Sequence, residues 1–406
     1  MNCIVAQSGG PTSVINSSLA GVIQAGIDNN FDKIYLSLNG IEGILNNNIK
    51  EVDQKKFKKT KAMDKLMARP SSILGSCRYK LPSDIEDEIY EKIFTFLKEK
   101  EIGVFVYIGG NDSMDTVKKL NEYINKHNIE GINIVGCPKT IDNDLNGMDH
   151  SPGFGSAAKY IANTLRNIRN DVDIYDLESI TIVEIMGRHA GWLAASSLIS
   201  NYEAHKEIVN LVYVPEEKES LDEITNDIKK QMQTEKNLVI AMAEGFRDTD
   251  SFLDKQMFAN SDDGFNHPIV SGVAQRLADY LREKLGVKTR AVELNIVQRT
   301  SPVISKTDAK EAFNLGYRAL DLGVKSTNLI PVLRRKEGYA YQTFYTEVEP
   351  DLIANKEMKI PASWLADKKT LEENITTYAL PLIQGEIEQN YENGMPVYIN
   401  LTDFTK

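Results

Sequence analysis

Val104-Phe105-Val106-Tyr107-Ile108 runs into Gly109-Gly110-Asn111-Asp112-Ser113, and helical periodicity follows. A continuous apolar run rich in β-branched and aromatic residues, closed by paired glycines, reads as a strand buried on both faces. Strands of that kind belong to parallel sheets. The same pattern recurs along the chain. Cys3 to Ala6 leads into Gln7-Ser8-Gly9-Gly10 and a helix expected from about Ser13 to Ile27. Ile132 to Val135 leads into Cys137-Pro138-Lys139-Thr140-Ile141-Asp142-Asn143-Asp144. Ile180 to Ile185 precedes Met186-Gly187-Arg188-His189-Ala190-Gly191, and Val209 to Val214 precedes Pro215-Glu216-Glu217. Leu238 to Met242 precedes Ala243-Glu244-Gly245, and Ala291 to Val297 precedes Gln298-Arg299. Strand alternating with helix predicts an α/β fold with mostly parallel sheets. Open parallel sheets bind ligands beyond the carboxyl ends of their strands, where all these turns lie. One cleft assembled from seven loops is expected.

The composition narrows the function classes. At 406 residues the chain is long enough for two or three domains and a core without disulfides. With 47 Lys and Arg against 58 Asp and Glu, the net charge is −11. The isoelectric point near 5.2 argues against nucleic acid or an anionic membrane as partner. The basic run Lys55-Lys56-Phe57-Lys58-Lys59-Thr60-Lys61 reads as a solvated helix face or a lid, because Val52, Phe57, Met63 and Leu66 lie within or beside it. Cys3, Cys77 and Cys137 are an odd number at unrelated spacings, which suits unpaired thiols in a reducing compartment. The start, MNCIVAQSGGPTS, turns polar too soon for a signal peptide, and no stretch approaches a membrane span. A cytosolic protein is expected. The chain divides most naturally near residue 155 into two similar halves, and Met395 to Leu401 reads as a terminal strand.

Chemistry concentrates in the turns. Gly9-Gly10 and Gly109-Gly110 would let backbone N–H groups approach a phosphate chain lying between them. No GK[ST] follows either, so neither is a P-loop. Gly153 to Ala158 fits the GxGxxA pattern of dinucleotide sites, but no strand precedes it and the required context fails. Lys139 to Asp144 places a cation, a hydroxyl and two carboxylates on one loop. A carboxylate beside a cation can take a proton from a sugar hydroxyl while its neighbour holds a metal; it is also common turn chemistry. Arg188, Arg290 and Arg299 lie at expected strand ends, as salt-bridge partners or as forks for phosphate. The histidines at 127, 150, 189, 205 and 267 lack metal-binding spacing and read as surface or packing residues.

Taken in order, these segments resemble the phosphofructokinase family. Ser8-Gly9-Gly10, Leu74-Gly75-Ser76-Cys77-Arg78, Gly109 to Ser113, Lys139 to Asp144, Met186-Gly187-Arg188, Pro215-Glu216, Ala243-Glu244-Gly245 and Gln298-Arg299 carry the likeness across about three quarters of the chain. The resemblance implies two Rossmann-like three-layer lobes. One, residues 1–155 plus about 299–325, would take the phosphoryl donor. The other, 156–298 plus about 326–406, would take fructose 6-phosphate and include a C-terminal extension. It implies that Asp142 accepts the proton of the sugar's 1-hydroxyl and that Thr140 contacts the sugar. Met186, Gly187, Arg188, Glu244, Arg290 and Arg299 would bind the sugar phosphate. Gly10 and Arg78 would line the donor side, with Mg²⁺ near Asn111 and Asp144.

Departures from the family pattern point to the donor. Members that use ATP typically carry glycine where Asp112 and Lys139 stand here. A carboxylate at 112 would meet the α-phosphate of a nucleotide, and a lysine at 139 can reach the transferring group. Both changes are those of the pyrophosphate-dependent branch, which implies reversible transfer from inorganic pyrophosphate. Asn111 replaces the usual metal-coordinating aspartate. Ile296 replaces a histidine or tyrosine near the sugar phosphate, and Ser179 an arginine expected from a neighbouring subunit. Ala20 and Gln24 replace effector-site arginines, which implies weak or absent nucleotide regulation. A homodimer is expected. The alternatives are an ATP-dependent or dual-donor sugar phosphate kinase, for instance on sedoheptulose 7-phosphate, and a non-catalytic regulatory subunit. The second would lack the base, yet Asp142, Asp144 and Arg188 are all present.

Overall fold

The computed structural model describes residues 1–253, 272–338 and 340–406; His267 lies outside them. A first sheet joins β1 (Asn2–Gln7), β2 (Ile34–Ser37), β3 (Ile49–Glu51), β4 (Ile102–Gly109) and β5 (Asn133–Pro138) in the order β3-β2-β1-β4-β5. Only β3 runs antiparallel. A second sheet joins β6 (Ser179–Ile185), β7 (Leu211–Tyr213), β8 (Asn237–Ala243) and β9 (Lys288–Glu293), all parallel, in the order β7-β8-β6-β9.

Each sheet is covered on both faces, which is why its strands read as unbroken apolar runs. Cys3, Val5, Val104 and Val106 bury toward the helices Ile15–Asp28 and Lys306–Val324. Their alternates Ile4, Ala6, Phe105 and Tyr107 bury toward Glu88–Glu99 and Asn111–His127. In the second sheet Val183, Ile185, Val239 and Ala241 face the helix Phe154–Val172, while Ile180, Ile182, Leu238 and Ile240 face Leu221–Gln231 and Val273–Leu285. Two three-layer α/β lobes result, as the sequence predicts. The helices Ile15–Asp28 and Lys306–Val324 touch through glycine: a Cβ at Gly21 would stand 1.9 Å from Phe313 O, and one at Gly316 would stand 2.0 Å from Ser18 O.

Several expectations need correction. The run Ala291 to Val297 is not all strand. Pairing with β6 ends at Glu184 and Glu293, and residues Asn295–Arg299 form a 3₁₀ turn that leaves Ile296 and Val297 exposed. At the tail, only Met395–Pro396 pairs, with Tyr391–Glu392; Pro396 has no N–H to extend a ladder, and Met395 stands 71 % exposed. The stretch 326–406 divides between the two cores. An antiparallel ribbon of β10 (Ile330–Arg335) and β11 (Thr343–Val348) buries Ile330, Val332 and Leu333 in the first, with Ile353, Ile399 and Phe404. Ile360, Leu371, Ile375 and Leu382 join the second. The basic helix Gln54–Lys59 buries Phe57 against Phe404, at 5.9 Å between ring centroids, and turns most of its lysines outward. It is a solvated face rather than a lid over the cleft. No helix among the described residues is long and apolar enough to cross a membrane.

Candidate active site

Register aligns the turns. Ser8 N donates to Ile108 O at 2.9 Å and Lys139 N to Gly109 O at 3.0 Å, which sets the turns after β1, β4 and β5 side by side. Across the cleft Glu244 N donates to Ile185 O at 2.7 Å and Gly245 N to Gly187 O at 3.0 Å, joining the turns after β6 and β8. Between the two edges lies a cavity of about 520 Å³. The first lobe lines it with Gly10, Arg78, Asn111, Asp112, Lys139, Thr140, Asp142 and Asp144. The second adds Met186, Arg188, Glu244 and Arg299.

Two of the predicted residues stand apart. Gly187 shapes the wall from behind: its φ of +131° is open to glycine, and a Cβ there would meet Ala190 O at 2.7 Å. Arg290 lies outside the cavity within one chain. It pairs with Thr181 in the amino-terminal half of β9, the end away from the turns, and bonds Asp171 at 3.1 Å. The Pro215-Glu216 turn is also outside the lining; Glu216 instead accepts from Gly191 N at 3.0 Å and so braces the Met186–Gly191 loop.

Glycines admit cations to the donor turn. A Cβ on Gly9 would stand 3.2 Å from Lys139 Nζ, and one on Gly10 would stand 3.2 Å from Arg299 Nη1. The loop carrying Asp142 is tied at both ends. Thr140 N donates to Pro152 O at 3.1 Å, and Thr140 Oγ1 accepts from Asp142 N at 3.1 Å. Asn143 holds a φ of +56° between the two aspartates. Asparagine tolerates that left-handed turn better than most residues.

Burial makes the site electrostatically tense. Lys139 is 2 % exposed, and desolvation lowers its pKa to about 8. Desolvation lifts Asp142 above the usual carboxylate range, opposed by Arg188, Arg299 and Lys139. Asp144 and Glu244 are each raised to about 7, first by desolvation and then by the charge on Asp142. Arg188 Nε lies 3.7 Å from Glu244 Oε1. Arg299 Nε is buried with no hydrogen-bond partner among the described residues. A phosphate oxygen would supply that acceptor and relieve the crowding of Arg299 by Arg78 and Arg188.

Asn111 departs from its expected role. Its amide nitrogen donates to Lys356 O at 2.9 Å and its oxygen accepts from Asn355 N, so the side chain expected to face a cation clamps the tail instead. That clamp brings Asn355 and Glu357 into the cavity lining, where Glu357 bonds His189 at 2.6 Å. Met358 N donates to Asp144 O at 2.7 Å and seals the junction. Neither Asn355 nor Glu357 follows a strand or a glycine turn, so no local pattern marks them.

Several known proteins resemble this chain along its length. The family model described as Phosphofructokinase matches residues 2–322. A pyrophosphate–fructose 6-phosphate 1-phosphotransferase from Methylococcus capsulatus is 33 % identical over 98 % of this chain and 96 % of its own length. A protein of the same name from Halomonas elongata is 34 % identical over 97 % and 94 %. A sulfofructose kinase from Alkalicoccus urumqiensis is 32 % identical over 92 % and 94 %. Among solved structures, a pyrophosphate-dependent phosphofructokinase from Nitrosospira multiformis superposes with a TM-score of 0.87 at 30 % identity, covering 100 % of this chain and 97 % of that one. The cleft, its loops and these likenesses lead to one conclusion: the chain belongs to the phosphofructokinase family.

Proposed function

We infer that the chain transfers a phosphoryl group reversibly from pyrophosphate to the 1-hydroxyl of fructose 6-phosphate, giving fructose 1,6-bisphosphate and orthophosphate. The observation that carries the donor assignment is Asp112 lining one cavity with the buried Lys139, in a chain whose full-length relatives bear that name. The Asp112 carboxylate repels the further phosphate of a nucleotide, and Lys139 supplies a cation at the transferring group.

In this reading the Asp142 carboxylate takes the proton of the 1-hydroxyl. The freed oxygen attacks the nearer phosphorus, the bond to the bridging oxygen breaks, and orthophosphate leaves. Thr140, Met186, Gly187, Arg188, Glu244 and Arg299 hold the sugar phosphate; Gly10, Arg78 and Lys139 hold pyrophosphate. Phosphoryl transfer depends mostly on positioning and on neutralising charge, which this ring of cations provides. Mg²⁺ shields the donor's negative charge when bound. Asp144 would hold that ion, because Mg²⁺ can be bound through as few as one or two protein carboxylates. Asn111, engaged with Asn355 and Lys356, has less to offer.

The first lobe's turns form the donor side and the second lobe's the sugar side. Arg290 lines a surface recess with the exposed Tyr175 and Leu177, and in a homodimer it would serve the site of a second copy. The test follows fructose 1,6-bisphosphate from fructose 6-phosphate, or phosphorylated sulfofructose from sulfofructose because one relative is named a sulfofructose kinase, with Mg²⁺ and either pyrophosphate or ATP. Turnover with pyrophosphate and fructose 6-phosphate supports the reading. Turnover only with ATP, or only with sulfofructose, overturns the donor or the acceptor respectively.

A further inference from the structure

We propose that Tyr378, on the tail helix Lys368–Ala379, is a positioning residue for Asp142, acting through Asn143. The inference rests on Asp142 being the base. Asn143 is fully buried, and its two amide atoms have different partners. The nitrogen donates to Tyr378 Oη at 2.8 Å, and the oxygen accepts from Ser151 N at 2.9 Å. The Tyr378 hydroxyl in turn donates to Asp149 O at 2.6 Å. These bonds close residues 143–151 into a ring with the tail as its clasp.

The clasp is itself held by Trp192 and Arg335. The Tyr378 ring lies 5.2 Å from the ring of Trp192 and 4.8 Å from the Arg335 guanidinium. Arg335 Nη2 donates to Tyr378 O at 2.9 Å and to Asp149 Oδ1 at 3.1 Å. A buried amide whose partner is removed pays its desolvation cost, and the Asn143 side chain would then seek another partner. Asn143 sits between Asp142 and Asp144 at positive φ, so any rotation of its backbone redirects both carboxylates. Packing alone would be served by phenylalanine; the hydroxyl has a use only as the link between Asn143 and Asp149.

The test is a double-mutant cycle of Tyr378→Phe and Asn143→Gly, read in steady-state kinetics and thermal unfolding. Glycine keeps the positive φ while removing the amide, so it serves if the tyrosine variant folds poorly. Tyr378→Phe should lower kcat about tenfold with each KM changed less than about twofold. The double variant should lose no more kcat than the worse single one. Additive losses in kcat, or a lowered Tm with unchanged kcat, would overturn the proposal. Asp142→Asn, measured alongside, separates the two readings. Normal turnover there removes the base, whereas a dead Asp142→Asn beside a normal Tyr378→Phe removes only the positioning role.

Discussion

In the proposed reading, the two walls of the cleft would recognise phosphate by different means. The proposed donor wall is largely backbone: glycine turns after β1 and β4 stand in register, one buried lysine reaches across Gly9, and Arg78 joins them. The proposed sugar wall is side chain: Arg188 faces Glu244, and Arg299 reaches over to Gly10. A backbone wall accepts any phosphate that fits, so in this reading its selectivity would come from what obstructs it, Asp112. An arginine wall selects by fork geometry and charge. Asp142 lies where the walls meet, and both sets of cations act on it.

Changes at that junction should cost most. Asp142→Ser is expected to lower turnover by about three orders of magnitude or more, with sugar binding little changed. Near-normal turnover in steady-state assays would remove it as the base. On the sugar wall alone, Arg188→Ala should raise KM for fructose 6-phosphate by about tenfold to a hundredfold and KM for pyrophosphate far less. Equal rises would mean the walls are not separate. The smallest expected effect is in pH. Burial brings Lys139 to about 8, so its charge is lost as pH rises through that value. The kcat/KM for pyrophosphate should therefore fall above about pH 8, and Lys139→Met should show low activity without that limb. A wild-type profile flat to pH 10 would contradict a lowered Lys139 pKa.

Both walls were legible because parallel strands covered on two faces leave continuous apolar runs, and their turns fall at one edge. The short strands β2 and β3 were not, because they carry Tyr35, Lys50 and Glu51 among their apolar residues. Arg290 was legible as a strand-end arginine, but β9 begins at Lys288, which moves that residue to the far end of its strand. Asn355, Glu357 and Tyr378 reach the site through bonds to residues more than 160 positions away, and a sequence records no neighbour at that distance.

The central claim concerns the donor, and one ratio tests it: kcat/KM for pyrophosphate over that for ATP, in the natural chain and in Asp112→Gly with Lys139→Gly. A natural chain strongly favouring pyrophosphate, with the ratio falling by about a hundredfold or more in the double variant, is the predicted result. A double variant that still excludes ATP would contradict the charge and space argument. So would a natural chain that already uses ATP well.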